Sequence, residues 1–174
     1  MKKVLSFGEI IWDIYAEEKC IGGAPLNFAA HLAQLGVKSS LLTAVGADEM
    51  GERAKQELGE RGVEGIFSEA AGKYSTGYCL VTLDDSGKPN YELMQDVAYD
   101  HIACSTEQIT KLTERNYDAF YFGTLAQRAA ESRNTLLHIL ETIAFGEIFC
   151  DVNVRRPFCS LSTMKTCFEH ATIL

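Results

Sequence analysis

The amino-acid sequence predicts an α/β fold in which a mostly parallel sheet has helices on both faces. Short apolar runs rich in β-branched residues alternate with longer segments whose apolar residues recur at the helical period. This alternation is typical of parallel sheets, because a crossover segment must carry the chain back between neighbouring parallel strands. With 174 residues and no linker, repeat or low-complexity tract, the chain is predicted to form a single domain, residues 1–174.

The first strand is predicted between Lys2 and Gly8, where the apolar residues suit the centre of a sheet. A second β-rich run follows from Glu9 to Tyr15. Asp13 interrupts this second run among isoleucine and tryptophan side chains. Alternation alone would turn Asp13 to solvent. The alternative is a binding role, because a carboxylate can accept hydrogen bonds from two hydroxyl groups at once.

A glycine-rich stretch precedes the first predicted helix. Gly22 and Gly23 allow backbone conformations that other residues avoid, and Pro25 suits the first helical turn. Apolar residues then follow at helical spacing until Gly36 ends the helix. Asn27 does not fit this packing pattern, because an amide buried without partners costs about 1–3 kcal/mol. A polar ligand bound over the glycines would supply those partners.

The later segments continue the alternation of strands and helices. Two β-rich runs, 76–83 and 89–94, flank the turn-forming segment 84–87 and predict a hairpin that projects from the main sheet. The other predicted strands are 40–45, 63–67, 118–122 and 148–151, and the other predicted helices are 48–61, 100–113, 128–144 and 164–170. Residues 172–174 are predicted to open a further buried strand.

Charge and composition argue against several classes of function. The 24 acidic and 16 basic residues give a net charge of −8, which repels phosphate backbones, so nucleic acid is not an expected partner. The six cysteines form no C-x-x-C pair and the four histidines no metal-ligand spacing, so no zinc site is expected. No apolar run is long enough to span a membrane. Reduced thiols without a secretory signal indicate a cytoplasmic protein.

A second polar cluster is predicted where the strand 148–151 ends. In an extended chain the period of two places Asp151, Asn153 and Arg155 on one face, with two valines on the other. An acid, an amide and a guanidinium at the carboxyl end of a strand suit hydroxyl groups or phosphate oxygens. The alternative is a surface salt bridge, which contributes little.

Three of these patterns together resemble the PfkB (ribokinase-like) carbohydrate kinases. The run Gly22-Gly23-Ala24-Pro25-Leu26-Asn27-Phe28-Ala29, with Gly36 and Gly46 after it, is similar to the first signature of that family. The G-E-x-x-x-D spacing that ends at Asp13 also resembles these sugar kinases. The D-x-N-x-R pattern from Asp151 to Arg155 is most similar to the fructokinases of the family.

This resemblance implies a ribokinase-like three-layer sandwich with a small β lid, formed by strands at about 10–20 and 74–95. It implies ATP-dependent phosphorylation of a ketohexose, with D-fructose converted to fructose 6-phosphate, and it implies Mg²⁺ and K⁺ as ions. The lid would also form a homodimer contact. The implied sugar-binding residues are Asp13, Gly22, Gly23, Asn27, Asn153 and Arg155, the last also near the transferred phosphate.

The second signature of the family, a G-A-G-D run that supplies the catalytic Asp, is absent from these 174 residues. The resemblance therefore implies the N-terminal part of a kinase, incomplete at its C-terminus, which alone would not transfer phosphate. Three alternatives remain: a non-catalytic sugar-binding or regulatory remnant, a kinase for ribose or 2-keto-3-deoxygluconate, and a nicotinamide-dependent enzyme. The last is disfavoured because no G-x-G-x-x-G follows the first strand.

Overall fold

The structure is a computed structural model that describes residues 1–68, 72–84, 86–155 and 157–174. Asp85 of the predicted hairpin turn and Arg156 therefore lie outside the described residues. The described strands are β1 (Lys3–Phe7), β2 (Ile11–Ile14), β3 (Lys19–Gly22), β4 (Lys38–Thr43), β5 (Val63–Phe67), β6 (Tyr78–Leu83), β7 (Pro89–Leu93), β8 (Ala119–Gly123) and β9 (Glu147–Asp151). The described helices are α1 (Ala24–Gln34), α2 (Glu49–Glu60), α3 (Thr106–Glu114), α4 (Ala130–Thr142) and α5 (Leu161–His170).

Five strands form a parallel main sheet in the order β5-β4-β1-β8-β9. The first strand lies at the centre, as its apolar sequence predicts. Side chains alternate between the two faces, so that Phe120 and Phe122 join one core while Leu41 joins the other. Helices α1 and α2 cover one face and α3, α4 and α5 cover the other, which confirms the predicted three-layer α/β architecture.

The remaining four strands form a second sheet in the order β3-β2-β6-β7. β2 pairs antiparallel with β3 and parallel with β6, and β6 forms the hairpin with β7. The Asp84 carboxylate accepts hydrogen bonds from the backbone N–H groups of Ser86 and Lys88, which fixes the turn of that hairpin. This sheet brings β2, which contains Asp13, beside the main sheet.

Several predicted bounds shift by two or three residues, and two predictions are wrong. The helix predicted at 100–113 begins only at Thr106, because Ser105 and Gln108 form a capping box there. Residues 98–101 form a separate 3₁₀ turn, in which Asp100 pairs with Arg128 instead. Ile173 does pair with the edge strand β9, at Phe149, but Ile173 is exposed and not buried as predicted.

In the part of the chain that the structure describes, no helix is both long and apolar enough to cross a membrane.

Asp48 joins the main layer to the second sheet. Its carboxylate caps α2 by accepting from the Gly51 N–H at 2.8 Å. It also accepts from the Thr76 N–H at 2.7 Å and from the Thr76 hydroxyl at 2.6 Å, just before β6 begins. The Thr76 hydroxyl in turn accepts from the Gly46 N–H at 2.9 Å. One carboxylate therefore connects the start of a helix to a strand of the other sheet.

Asp48→Ala is expected to lower the free energy of unfolding by about 2–4 kcal/mol, because it removes a helix cap together with charge-assisted hydrogen bonds to Thr76. Ser105→Ala is the matched control, since that side chain caps α3 through local hydrogen bonds. The control is expected to cost about 1 kcal/mol. Urea denaturation measures both, and equal losses in the two variants would contradict the connecting role of Asp48.

Candidate functional site

A cleft of about 750 Å³ lies between the carboxyl ends of the main-sheet strands and the second sheet. This edge of an open parallel sheet is where α/β proteins bind ligands. The second sheet supplies one wall, the start of α1 another, and the segments after β8 and β9 the third. The lining residues are Glu9, Ile11, Asp13, Tyr15, Gly22, Gly23, Ala24, Asn27, Cys79, Tyr91, Leu93, Gly123, Thr124, Leu125, Asp151, Asn153, Arg155 and Phe158.

All six residues that the sequence singled out for binding lie on this cleft. They come from three separate segments of the chain and face the same space. They are Asp13, Gly22, Gly23, Asn27, Asn153 and Arg155. Their grouping is a structural finding, and their part in binding a ligand stays a prediction.

Gly23 sets the start of α1 against the segment between β1 and β2. Its φ angle is +114°, a conformation that favours glycine, and a β-carbon there would collide with the Glu9 carbonyl oxygen. The next residues begin the helix, with Pro25 in its first turn. Gly22 pairs with Ile11 across β3 and β2, and a β-carbon added at Gly22 would lie 3.9 Å from Asp13 Oδ2. Gly23 therefore lets α1 begin close against that segment, and Gly22 places backbone near the Asp13 carboxylate.

The structure corrects the burial expected for Asn27. The residue lies in the first turns of α1, where its backbone N–H donates to the Gly23 carbonyl at 2.9 Å. Its side chain is exposed on the rim of the cleft, not buried among apolar neighbours. The buried residues of α1 are Pro25, Leu26, Ala29 and Ala30, and Asn27 lies outside that buried stripe. The amide remains open to a ligand.

Asp13 and Arg155 belong to opposite sides of the cleft and interact electrostatically. Partial burial raises the pKa of the Asp13 carboxyl, and the Arg155 guanidinium offsets part of that rise. Asp13 is half-buried on β2, whereas Arg155 is exposed. The pair therefore places one acidic and one basic group at the two ends of the same polar space.

The period-two argument for Asp151, Asn153 and Arg155 is wrong, although the three residues do meet at the cleft. β9 ends at Asp151, and residues 152–155 leave the strand. The Asn153 N–H donates to the Asp151 carbonyl at 3.0 Å, and the Thr124 hydroxyl donates to the Asn153 carbonyl at 2.7 Å. These bonds turn the chain out of the sheet and hold it over the cleft.

Tyr121 holds the Asp151 carboxylate in place. Its hydroxyl donates to Asp151 Oδ2 at 3.0 Å, and burial together with this carboxylate raises the pKa of the phenol. The Tyr121 ring stacks on Phe28 of α1, with centroids 4.1 Å apart. The phenylalanine after the motif asparagine thus supports the acidic group at the end of β9.

Glu9 is a titratable lining residue to which the sequence interpretation gave no role. It is only 4% exposed, and burial raises the pKa of its carboxyl to about 7, against the lowering effect of the Glu9 and Ala24 backbone N–H groups. Nearby Asp151 raises this pKa further. A single glutamate after a strand gives no periodic signal, so only its place in the G-E-x-x-x-D spacing pointed to it.

The described lining residues carry three carboxyl groups and one guanidinium: those of Glu9, Asp13, Asp151 and Arg155. Carboxylates and amides accept hydrogen bonds from hydroxyl groups. Among the described residues, no group of three or more His, Cys, Asp or Glu side chains is placed to hold a metal ion. The carboxyl and amide groups of the cleft therefore suit a polyhydroxyl ligand.

Comparison with known proteins identifies a family and several relatives of this chain. The family model for "pfkB family carbohydrate kinase" matches residues 1–174. A putative sugar kinase of Pyrococcus horikoshii is 33% identical over 152 residues, which are 82% of this chain and 46% of the relative. A fructokinase of Salmonella typhimurium is 28% identical over 166 residues, or 88% of this chain and 51% of the relative. The chain thus spans about half the length of these curated relatives.

Solved structures agree with the fold. The sugar kinase of P. horikoshii in complex with ATP superposes with a TM-score of 0.74 and 29% identity, covering 95% of this chain and 56% of that one. The fructokinase of Vibrio cholerae superposes with a TM-score of 0.78, covering 98% of this chain and 62% of that one. Its identity of 21% supports a shared fold alone. This confirms the ribokinase-like fold class.

The raised pKa of Glu9 predicts a specific pH dependence of stability. The folded chain keeps a proton on this carboxyl between pH 4.5 and about 7 that the unfolded chain releases, so stability falls as pH rises through that window. Glu9→Gln removes this contribution. The free energy of unfolding of this variant is expected to equal that of the wild type below about pH 4.5 and to exceed it by roughly 3 kcal/mol at about pH 8.

Urea denaturation across this pH range measures the difference between the two proteins. Parallel stability curves for wild type and Glu9→Gln would show that Glu9 titrates at its ordinary pKa, and would contradict its burial as described.

Proposed function

Since the chain belongs to the pfkB family of carbohydrate kinases, we propose that it forms the sugar-binding part of an ATP-dependent kinase for D-fructose. The product would be fructose 6-phosphate. The single observation that supports this most strongly is the convergence of the six motif residues on one cleft. The relatives in the comparisons include a fructokinase, which favours a ketohexose within the family.

The charges of the cleft favour a neutral sugar over an acidic one. Three carboxyl groups face the space, and Arg155 is the one cationic side chain among its described lining residues. A sugar hydroxyl donates to a carboxylate, whereas the carboxylate of 2-keto-3-deoxygluconate would be repelled by Asp13 and Asp151. This argument separates fructose from the keto acid, and it leaves ribose as the neutral alternative.

In the proposed complex each wall of the cleft has a separate task. Asp13 accepts from sugar hydroxyl groups, and Gly22 and Gly23 let the sugar approach the backbone. Asn27 supplies both a donor and an acceptor from the rim of α1. Asn153 and Arg155 close the far side, with Arg155 near the phosphate to be transferred. The second sheet acts as a lid that excludes water, which would otherwise hydrolyse the nucleotide.

The phosphoryl-transfer groups are proposed to lie outside these 174 residues. The G-A-G-D run that resemblance to the family implies has no counterpart in the sequence. When bound, ATP would supply the phosphoryl group and Mg²⁺ would offset its negative charge. The task of this chain is then to bind and orient the sugar hydroxyl and to keep water away.

A non-catalytic sugar-binding protein is the second candidate, favoured by the absence of that catalytic run. Both candidates require sugar binding, and they differ in catalysis. A phosphorylation assay of the native gene product with ATP and D-fructose separates them. Formation of fructose 6-phosphate supports the kinase, and fructose binding without turnover supports the binding protein.

Asp13→Ala is expected to weaken D-fructose binding at least about tenfold, because hydrogen bonds to a charged group contribute roughly 1.5–3 kcal/mol. Asp84→Ala is the control, since that carboxylate lies on the exposed β6–β7 turn and bonds its own turn. Isothermal titration calorimetry measures both. Unchanged affinity in Asp13→Ala would count against the proposed sugar site.

We also propose that the second sheet pairs with a second copy of the chain. A concave surface that encloses a cavity of about 980 Å³ lies between β6 and the β2–β3 connection. Tyr15, Val81 and Leu83 are among its lining residues. Leu83 is 70% exposed and Tyr15, which also lines this surface, is 38% exposed. Large apolar side chains grouped at one surface are typical of protein interfaces. A homodimer would cover them.

Leu83→Glu is expected to convert the dimer to a monomer, because a charge would be buried at the apolar contact. Leu161→Glu is the matched control: Leu161 is 91% exposed but belongs to α5, away from this sheet. Sedimentation velocity measures both variants and the wild type. A wild-type monomer, or a dimer that survives Leu83→Glu, would contradict pairing through this sheet.

A further inference from the structure

Three polar atoms behind the cleft are buried without a hydrogen-bond partner. They are Glu9 Oε2, Tyr99 Oη and Arg128 Nη1. Their side chains also interact electrostatically with one another, so the three belong to one cluster. Leaving a buried polar atom unpaired costs about 1–3 kcal/mol, and such atoms are rare in native structures. Three in one cluster beside a cleft indicate that a bonding partner is missing.

Arg128 is fixed at the back of this cluster. Its Nε and Nη2 donate to the two Asp100 oxygens at 2.7 and 2.8 Å, and Nη2 also donates to the Met94 carbonyl at 2.6 Å. Its guanidinium lies 4.8 Å from the Tyr99 ring centroid and 5.0 Å from that of Phe158. Asp100 therefore already neutralises this arginine, and Glu9 is not its ion-pair partner.

Glu9 lies between this fixed arginine and the open cleft. The charged and titratable groups that face it are Asp151 of β9, Tyr121 of β8, Tyr99 of the 3₁₀ turn at 98–101, and Arg128 of a second 3₁₀ turn, Leu125–Arg128. Glu9 itself lines the cleft. The Glu9 and Ala24 backbone N–H groups act on this carboxyl, yet its Oε2 atom has no hydrogen-bond partner. A buried polar atom without a partner beside a ligand cleft is typical of a functional group.

We propose that Glu9 is a further ligand-binding residue, whose protonated carboxyl donates a hydrogen bond to an oxygen of the bound sugar. This inference rests on the proposed sugar-binding function and adds a subsite at the back of the cleft. The neutral carboxyl has one O–H donor, and a sugar oxygen supplies the acceptor.

The proposal predicts that sugar affinity depends on pH. The Glu9 carboxyl, with its pKa raised to about 7 by burial, is protonated below that pH and can donate. Above it the ionised carboxylate can only accept, and it adds a second negative charge beside Asp151. Affinity is therefore expected to fall as pH rises through about 7, by on the order of tenfold between about pH 6 and pH 8.5.

The test measures D-fructose binding by isothermal titration calorimetry at those two pH values. Glu9→Gln keeps an N–H donor that does not titrate, so it should bind within about threefold of the wild type at the lower pH and lose the pH dependence. Glu9→Met removes the donor and should bind at least about tenfold more weakly at the lower pH.

Ser39→Ala is the control. Ser39 Oγ is likewise buried and unpaired, but it lies on β4 and does not line the cleft. This variant should bind D-fructose as the wild type does at both pH values.

Two results would overturn the subsite while leaving the proposed function intact. They are wild-type affinity in Glu9→Met, and an unchanged pH dependence in Glu9→Gln. If Glu9→Met unfolds, the pH dependence of D-fructose binding by the isosteric Glu9→Gln variant alone tests the subsite. A wild-type protein that binds neither D-fructose nor D-ribose overturns the proposed function and the subsite together.

Discussion

The close approach of Gly23 to the Glu9 backbone is the contact on which the site depends. Because a β-carbon at Gly23 would collide with the Glu9 carbonyl, only glycine lets α1 begin against the segment that links β1 to β2. That contact brings the rim residue Asn27 to the same cleft as Asp13 of the second sheet. The carboxyl ends of β8 and β9 then complete the space, with Tyr121 and Phe28 packed between them.

Much of this arrangement follows from local sequence. The glycine stretch, the hairpin and the alternation of strands and helices are local patterns, and they predict the elements and the central place of β1. The segment 152–155 could not be predicted in this way, because Thr124, distant in sequence, turns it out of the sheet. The separate 3₁₀ turn at 98–101, in place of the start of the predicted helix, has a similar cause, since Asp100 is held by Arg128. Such tertiary contacts leave no periodic signal.

The electrostatics of the cleft connect its structure to its proposed ligand. Two acidic groups, Asp13 and Asp151, face a space with one described cation, Arg155. Behind them the Glu9 carboxyl is buried deeply enough to raise its pKa to about 7. A neutral polyol matches the hydrogen-bonding groups of the cleft, because each hydroxyl can donate to a carboxylate and accept from a neutral donor. An anionic ligand would instead add repulsion in a partly dehydrated site.

The most direct measurement is a comparison of D-fructose with 2-keto-3-deoxygluconate, both titrated into the wild-type protein by calorimetry. The two ligands share a keto sugar framework and differ in the carboxylate. The charge balance around Asp13 and Asp151 predicts that D-fructose binds more tightly. Tighter binding of the keto acid, or binding of the keto acid alone, would contradict a cleft built for a neutral sugar.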